Sequence, residues 1–372
     1  MRVILAPDSF KGSITSLEFC NVAQSVLKKY FPNCVIDGMP LGDGGEGTAQ
    51  ALLSVLGGKK VFVNVLNPHG KPAEAFYVLT KNGKGIAEIA SSSALTMVGK
   101  EKPMEASTYG FGQLIAAMLS EDIKDITLCL GGSATTDGGA GLAAALGVKF
   151  FDFYGNIFVP NGGTLKDIAY YDAGALEKIA QTHKFTLLTD CKNPLAGKRG
   201  AAYVYSPQKG AKEEQVKLLD IGLRHYAKII HKQSGKDYTY YKGIGAAGGA
   251  ALSLKAFLGA TINSGIDRVL KLYNFTKKAK LCDFVITGEG SLDSQSLMGK
   301  ALSGILKAAG QKPIYSFCGI SKLRQDDLPF NLKAISISLG IEQSEAIKNA
   351  PYYLERALES FIKENFGYLK TL

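Results

Sequence analysis

Arginine and histidine are scarce in this 372-residue chain, which holds six of the first and four of the second. A nucleic-acid reader clusters arginine on one face. Here the net charge of +10 is almost all lysine, no basic run exceeds two residues, and no aromatics are interleaved with them. The excess therefore reads as solubilising charge, with an anionic substrate as the next reading and nucleic acid last. The histidines (His69, His183, His225, His231) lie in polar or helical surroundings, and the sequence has no H-E-x-x-H, H-R-D or G-x-S-x-G. That leaves a Ser-His-Asp hydrolase, a zinc protease and a protein-kinase loop without support. The six cysteines are widely spaced with no C-x-x-C. Cys129, Cys282 and Cys318 sit in or beside apolar runs, as buried free thiols do. No apolar stretch approaches the roughly 18 residues of a membrane helix, and the opening MRVILAPDSF has no signal-peptide apolar region. These absences predict a cytoplasmic protein with no membrane partner.

Glycine is what the chain has in surplus: 43 residues, where average usage gives about 26. Eighteen of them fall in four windows, 42–47, 131–147, 243–249 and 288–304. Glycine packed so locally marks backbone with unusual dihedrals or a close approach.

The pattern alternates strand and helix. Strands are expected at 2–6, 35–39, 284–287, 314–317 and 334–338. Further extended segments are expected at 60–65, 75–79, 85–89, 125–130, 148–153, 185–189 and 201–205. Thr15-Ser-Leu-Glu18 offers a capping box for a helix to about Tyr30. Other helices are expected near 108–120, 138–146, 212–232, 247–258, 297–309, 342–349 and 352–365. Such alternation implies an α/β fold with a parallel sheet covered on both faces. The two chain ends look more doubly wound than the middle. Residues 1–66 and 281–372 are therefore expected to form one discontinuous domain, with 67–280 an inserted α/β domain.

Gly243-Ile-Gly-Ala-Ala-Gly248 spells G-x-G-x-x-G, with Asp267 nineteen residues on. The residues before it are polar and tyrosine-rich, and Asp267 follows Ser264 as in a capping box, so a dinucleotide site is disfavoured against close packing. Around Lys300 the Walker pattern fails at two positions.

Five segments share one grammar, an apolar strand running into glycine mixed with carboxylate, hydroxyl or lysine. They are Asp8–Ser13, Gly42–Gly47, Gly131–Gly139, Thr189-Asp190 and Gly288–Asp293. Each alone is compatible with an ordinary turn. Ligands of open α/β sheets bind at the carboxyl ends of strands. Glycine loops there cradle phosphate, and neighbouring carboxylates hold Mg²⁺ or accept a hydroxyl proton. Together the five point to phosphoryl transfer or another phosphate-handling reaction.

At these loops the sequence resembles the bacterial type I glycerate kinases, across essentially the whole chain. The carrying stretches are Ala6–Ser13, Leu41–Thr48, Leu130–Gly141, Leu188–Asp190 with Asn193–Leu195, Ser206–Ala211, Gly245–Gly249 and Ile286–Asp293. The resemblance implies phosphorylation of D-glycerate by ATP with Mg²⁺, giving 2-phosphoglycerate. It also implies a Rossmann-like doubly wound domain and an inserted α/β domain with the active site in the cleft between them. Two positions depart from the family pattern: Gly42 stands where Ala is expected and Ser291 where Arg is common.

On that reading Ser9 and Lys11 suit the substrate carboxylate, Lys11 also standing among the catalytic candidates with a surface lysine as its plainer alternative, and Asp43 and Glu46 lie on the substrate side, reaching the metal or bracing their loop. Asp190 and Asp8 are the candidates for base or Mg²⁺ ligand, with capping as the plainer alternative. Gly131, Gly132 and Ser133 form the phosphate cradle, supported by Thr135, Thr136 and Asp137. Gly288, Glu289, Gly290 and Lys300 face the nucleotide, though Lys300 reads more readily as an exposed lysine. Asp190, Glu289 and Asp293 are the metal candidates. The expected partners are D-glycerate and a nucleotide, in a monomer or small homo-oligomer. The competing classes are an NAD(P)-dependent hydroxyacid dehydrogenase, resting on 243–248, and a binding protein that kept the fold without turnover.

Overall fold

A computed structural model describes residues 1–10, 12–42, 44–294, 296–297 and 301–367; Lys11, Asp43 and Lys300 lie outside them. In chain order the strands of the first half are β1 Arg2–Leu5, β2 Val35–Gly38, β3 Gly58–Leu66, β4 Pro72–Thr80, β5 Gly85–Glu88, β6 Asp125–Cys129 and β7 Lys149–Phe151. They continue as β8 Ile157–Phe158, β9 Tyr170–Asp172, β10 Lys184–Leu188, β11 Thr261–Asn263, β12 Phe284–Leu292, β13 Ile314–Ser321 and β14 Leu332–Ser336.

The chain divides into two compact units. The first joins Met1–Asp43 and Gln50–Val55 to Ile266–Leu372; the second holds Gly44–Ala49 and Leu56–Gly265. The exchanges thus fall at 43/44, 49/50, 55/56 and 265/266, where the sequence led us to expect 66/67 and 280/281. The reason is pairing. β3 runs antiparallel to β4 from Gly58↔Thr80 to Leu66↔Pro72, which ties residues 58–66 to the inserted sheet.

In the first unit the sheet order is β14-β13-β12-β1-β2, every pair parallel. The chain's first strand thus lies between its second and a late one, a doubly wound order with a switch point between β1 and β12. Val3, Ile4 and Leu5 are fully buried, as a parallel strand covered on both faces requires. Helix Ser16–Tyr30 starts at the expected capping box. The Thr15 hydroxyl accepts from the Glu18 N–H (3.1 Å), and the Glu18 carboxylate accepts from the Thr15 N–H (2.8 Å). Phe19, Ala23, Val26 and Leu27 form its apolar stripe, sharing a core with Phe317 and with Leu354, Leu358 and Phe361 of helix Ala350–Phe366.

The second unit is mixed, in the order β11-β10-β6-β5-β4-β3, parallel from β11 to β5 and antiparallel beyond, beside a small antiparallel sheet β8-β7-β9. Helix Tyr109–Ser120 buries Phe111, Leu114, Ile115 and Met118 in the same core as Ile126 and Leu128 of β6. Two expectations differ. Residues 201–205 form a short helix instead of an extended segment. Ala-Ala-Tyr-Val-Tyr is too short for its apolar spacing to separate the two periods. Strand β12 runs to Leu292 and carries Gly288, Glu289 and Gly290 within it, paired to β13 from Val285↔Ile314 to Leu292↔Ser321.

Candidate functional site

Parallel strands β5, β6, β10 and β11 end on one edge of the second unit's sheet, which gathers Glu88, Gly131–Ser133, Asp190 and Ser264. The edge continues the ladder: the Leu130 N–H donates to Leu188 O (3.1 Å) and the Thr189 N–H to Asn263 O (3.1 Å). Asp190 is half-buried, and its Oδ1 accepts from the Ser264 hydroxyl (2.8 Å) and the Gly265 N–H (3.1 Å). These two donors orient the carboxyl at the strand end.

The Gly44–Gly47 turn lies against the loop after β6. The Gly131 N–H donates to Gly44 O (2.9 Å), and a Cβ on Gly131 would strike the Cα of Gly45. The glycine there is a demand of close backbone approach. That bond occupies one amide of the expected cradle, while Gly132, at φ +81°, is exposed. Glu46 is exposed on the same turn. Behind it, Glu88 accepts from the Gly47 N–H (3.1 Å) and the Ala49 N–H (2.5 Å). Burial pushes the Glu88 carboxyl up to about 7 against the pull of those two amides, and neighbouring Glu46 adds to the rise.

The rest of the loop turns inward. Thr135, Thr136 and Asp137 are buried. Asp137 Oδ2 accepts from the Thr108 N–H and hydroxyl (both 2.8 Å) and the Gly141 N–H (3.3 Å), and Oδ1 from the Gly139 N–H (3.1 Å). Thr136 shares a hydroxyl bond of 3.0 Å with Ser206. Lys209, from the turn Ser206–Gly210, is buried and donates to Thr135 O (2.6 Å) and the Ser133 hydroxyl (3.3 Å). Burial pulls its ammonium down to about 8, with the charge of Asp137 holding it up. Asp137, Thr135 and Thr136 thus brace the loop, Ser133 is buried against Lys209, and Gly132 is its exposed part.

In the first unit, Asp8 follows β1 at the switch point, and its N–H donates to Gly288 O (2.8 Å). The Ser9 N–H in turn donates to Asp8 Oδ1 (2.7 Å). Gly288 is buried, because a side chain there would meet the Phe19 ring and Phe317 O. Glu289 accepts from the Ser296 hydroxyl (2.7 Å), and Asp293 Oδ1 from the Ser296 N–H (3.2 Å), so one serine ties the two carboxylates. No cluster of three or more His, Cys, Asp or Glu side chains is poised for a metal among the described residues. A pair of oxygen donors does suit Mg²⁺, which binds through one or two carboxylates with phosphates and water completing the shell. Ser291, where the family pattern favours arginine, sits half-buried in β12.

Glu88 and Lys209 were not singled out from sequence. Glu88 did carry a signal, an apolar strand ending in a carboxylate, but without glycine around it. Lys209 lies in a Pro/Gly turn of the type that reads as exposed. The segment Gly243–Gly248 follows no strand, and the chain kinks through left-handed Ala247 and Gly248 before helix Ala250–Leu258, so the dinucleotide context is lacking.

The glycerate kinase family model matches residues 3–364. A Halalkalibacterium halodurans protein described as glycerate kinase is 41% identical over 85% of each chain. Escherichia coli glycerate 2-kinase is 36% identical over 86% of this chain and 85% of its own. A Salmonella typhimurium LT2 crystal structure, provisionally assigned as glycerate kinase 2, superposes with a TM-score of 0.86 at 32% identity, covering 100% of this chain and 99% of that one. The chain therefore belongs to the glycerate kinase family and is a kinase, a phosphotransferase acting on an alcohol group.

Proposed function

We propose that the chain transfers the terminal phosphoryl group of ATP to the 2-hydroxyl of D-glycerate, giving 2-phosphoglycerate and ADP. The match to Escherichia coli glycerate 2-kinase carries this reading. The geometry of Asp190 supports it: a carboxyl at the end of a parallel strand, oriented by Ser264 and Gly265, suits a group that accepts the proton of the attacking hydroxyl. Asp8 is the second candidate, and Ser9 with Lys11 is assigned to the substrate carboxylate. Asp43 and Glu46 are assigned to the substrate side. Gly131, Gly132 and Ser133 are assigned to the transferred phosphoryl group, braced by Thr135, Thr136, Asp137 and Lys209. Gly288, Glu289, Gly290 and Lys300 are assigned to the nucleotide.

Glu289 and Asp293, tied by Ser296, would hold Mg²⁺, which when bound neutralises charge on the phosphates, while Asp190 keeps the role of base. The protein's own contribution is positioning and electrostatics, since phosphoryl transfer asks little covalent chemistry of it. No helix among the described residues is long and apolar enough to cross a membrane, and all six cysteines are free thiols. We place the enzyme in the cytoplasm, acting on small molecules as a monomer or small homo-oligomer.

The test is a coupled ADP-release assay with D- and L-glycerate and related hydroxyacids, with ³¹P NMR of the product. ADP release with D-glycerate and a phosphorus resonance split by the single C2 proton is the expected result. Two-proton splitting moves the transfer to the 3-hydroxyl, and silence on every hydroxyacid rejects the activity.

A further inference from the structure

A cavity of about 660 Å³ opens within the second unit between residues 192–199, one turn of helix Glu213–Ser234, and residues 239–242. Five of its twelve lining residues are cationic: Lys192, Lys198, Arg199, Arg224 and Lys242. The chain's overall lysine and arginine content would put fewer than two there, and none of the twelve is acidic. Among the described residues no carboxylate pairs with Lys192, Lys198, Arg199 or Lys242.

The walls are built rather than loose. Asn193 accepts from the Tyr205 hydroxyl (2.8 Å) and donates to Arg199 O (2.8 Å), which folds 193–199 onto itself. Buried Asp220 accepts from the Gly197 N–H (2.6 Å) with one oxygen and from Arg224 Nε (2.8 Å) with the other, aligning the guanidinium beside the loop. The glycine-rich segment that resembles a dinucleotide fingerprint supplies the opposite brace. The Gly245 N–H donates to Asn193 O (3.1 Å), and a Cβ on Gly245 would strike Pro194 O. Glycine there lets the 239–245 segment close on the 192–199 loop. Tyr240 and Tyr241 are exposed at the mouth, and Lys255 stands 4.7 Å from the centre of the Tyr241 ring.

Four like charges without a carboxylate partner, beside an Arg224 whose charge Asp220 offsets, repel one another and are stabilised by a multivalent anion. A lone carboxylate needs one or two cations; this number suits a polyphosphate, and the exposed tyrosine faces suit a base. The loop after β6 offers little of that charge, because the cation packed against it, Lys209, is buried and turned to Thr135 O. The cavity begins two residues beyond Asp190 in sequence. We propose that it seats the phosphate chain of the nucleotide, with its base against exposed Tyr240, and so replaces Gly288, Gly290 and Lys300 as the main nucleotide contacts; the assignment rests on the ATP-dependent kinase reading above.

The test uses the full chain with a fluorescent N-methylanthraniloyl ATP titrated by polarisation, together with initial rates. In the Lys198→Ala/Arg199→Ala double variant, both side chains being exposed, the dissociation constant and the KM for ATP are expected to rise together by more than about tenfold. The KM for glycerate should stay within about twofold, since its contacts are assigned elsewhere. Tripolyphosphate should displace the probe from the wild type and do so poorly from the variant. Unchanged nucleotide affinity with intact turnover overturns the cavity assignment and leaves the kinase reading standing. A rise confined to the KM for glycerate, or to the dissociation constant of 2-phosphoglycerate titrated without nucleotide, overturns it in favour of the acid or its product. A wild-type chain that neither binds the probe nor releases ADP rejects the kinase reading itself, and this inference with it.

Discussion

Asp137 and Asp190 follow neighbouring parallel strands of one sheet, β6 and β10, in loops of similar composition, yet they are built for opposite purposes. Asp137 is buried among four donors from Thr108, Gly139 and Gly141, and burial raises its pKa in spite of them. Asp190 stays half-buried at the sheet edge, with two donors fixing one oxygen. The donors around a carboxylate, more than the motif it belongs to, decide whether it is consumed in bracing a loop, as Asp137 is, or left at the sheet edge for the role we propose for Asp190. The sharpest way to break this contrast is substitution to asparagine at each position.

Asp190→Asn should lower kcat by about 10²–10⁴-fold, the range for losing a positioned acid–base group. Its thermal midpoint should barely move, because an asparagine Oδ1 can still accept from Ser264 and Gly265. Near wild-type turnover in this variant would remove Asp190 from the chemistry. Asp137→Asn should do the reverse. Its amide would turn donors toward donors in a buried site, at a loss of about 2–4 kcal/mol of stability read by denaturant melts. Turnover per folded molecule should remain close to wild type. A stable Asp137→Asn protein with a raised KM for ATP would return Asp137 to the nucleotide site.

The sequence made the contrast only half legible. The grammar of strand followed by glycine and carboxylate placed Asp8, Asp190 and the 131–139 loop just beyond the ends of parallel strands, as the structure has them, because an apolar run and the glycine after it are both local signals. The capping box at Thr15 and Glu18 was readable because it is a local hydrogen-bond pattern. That Asp137, Thr135 and Thr136 face inward was not readable. Their donors at Thr108 and Ser206 come from distant parts of the chain. Residues 288–290 looked like a loop because glycine breaks strand patterns, yet the pairing of Gly288 with Phe317 and Glu289 with Cys318 keeps them in β12. The domain exchange at 55/56 was hidden for a similar reason: nothing local in 58–66 says which sheet its ladder joins. Lys209 reads as an ordinary surface lysine, since burial of a lone lysine depends on acceptors such as Thr135 O that the third dimension supplies.

A third carboxylate, Glu88, tests the contrast in the subtlest way, because it is a buried brace that can still titrate near neutrality. Its pKa is about 7 in the folded chain against 4.5 for an exposed glutamate. The folded state therefore binds more protons than the unfolded one between those values. Stability from this group is fully present below pH 4.5 and is lost as pH rises through 7. The loss is at most about 3 kcal/mol, the energy of two and a half pKa units. Glu88→Gln cannot titrate, and its one carbonyl oxygen can keep only one of the Gly47 and Ala49 amides. Thermal midpoints measured from pH 5 to 7.5 should fall more steeply with pH in the wild type than in Glu88→Gln. Parallel curves would show that the group does not change its protonation there. Any change in the pH dependence of kcat alongside the midpoints would place the Gly44–Gly47 turn, which Glu88 holds against the Gly131 loop, among the elements that position the reacting groups.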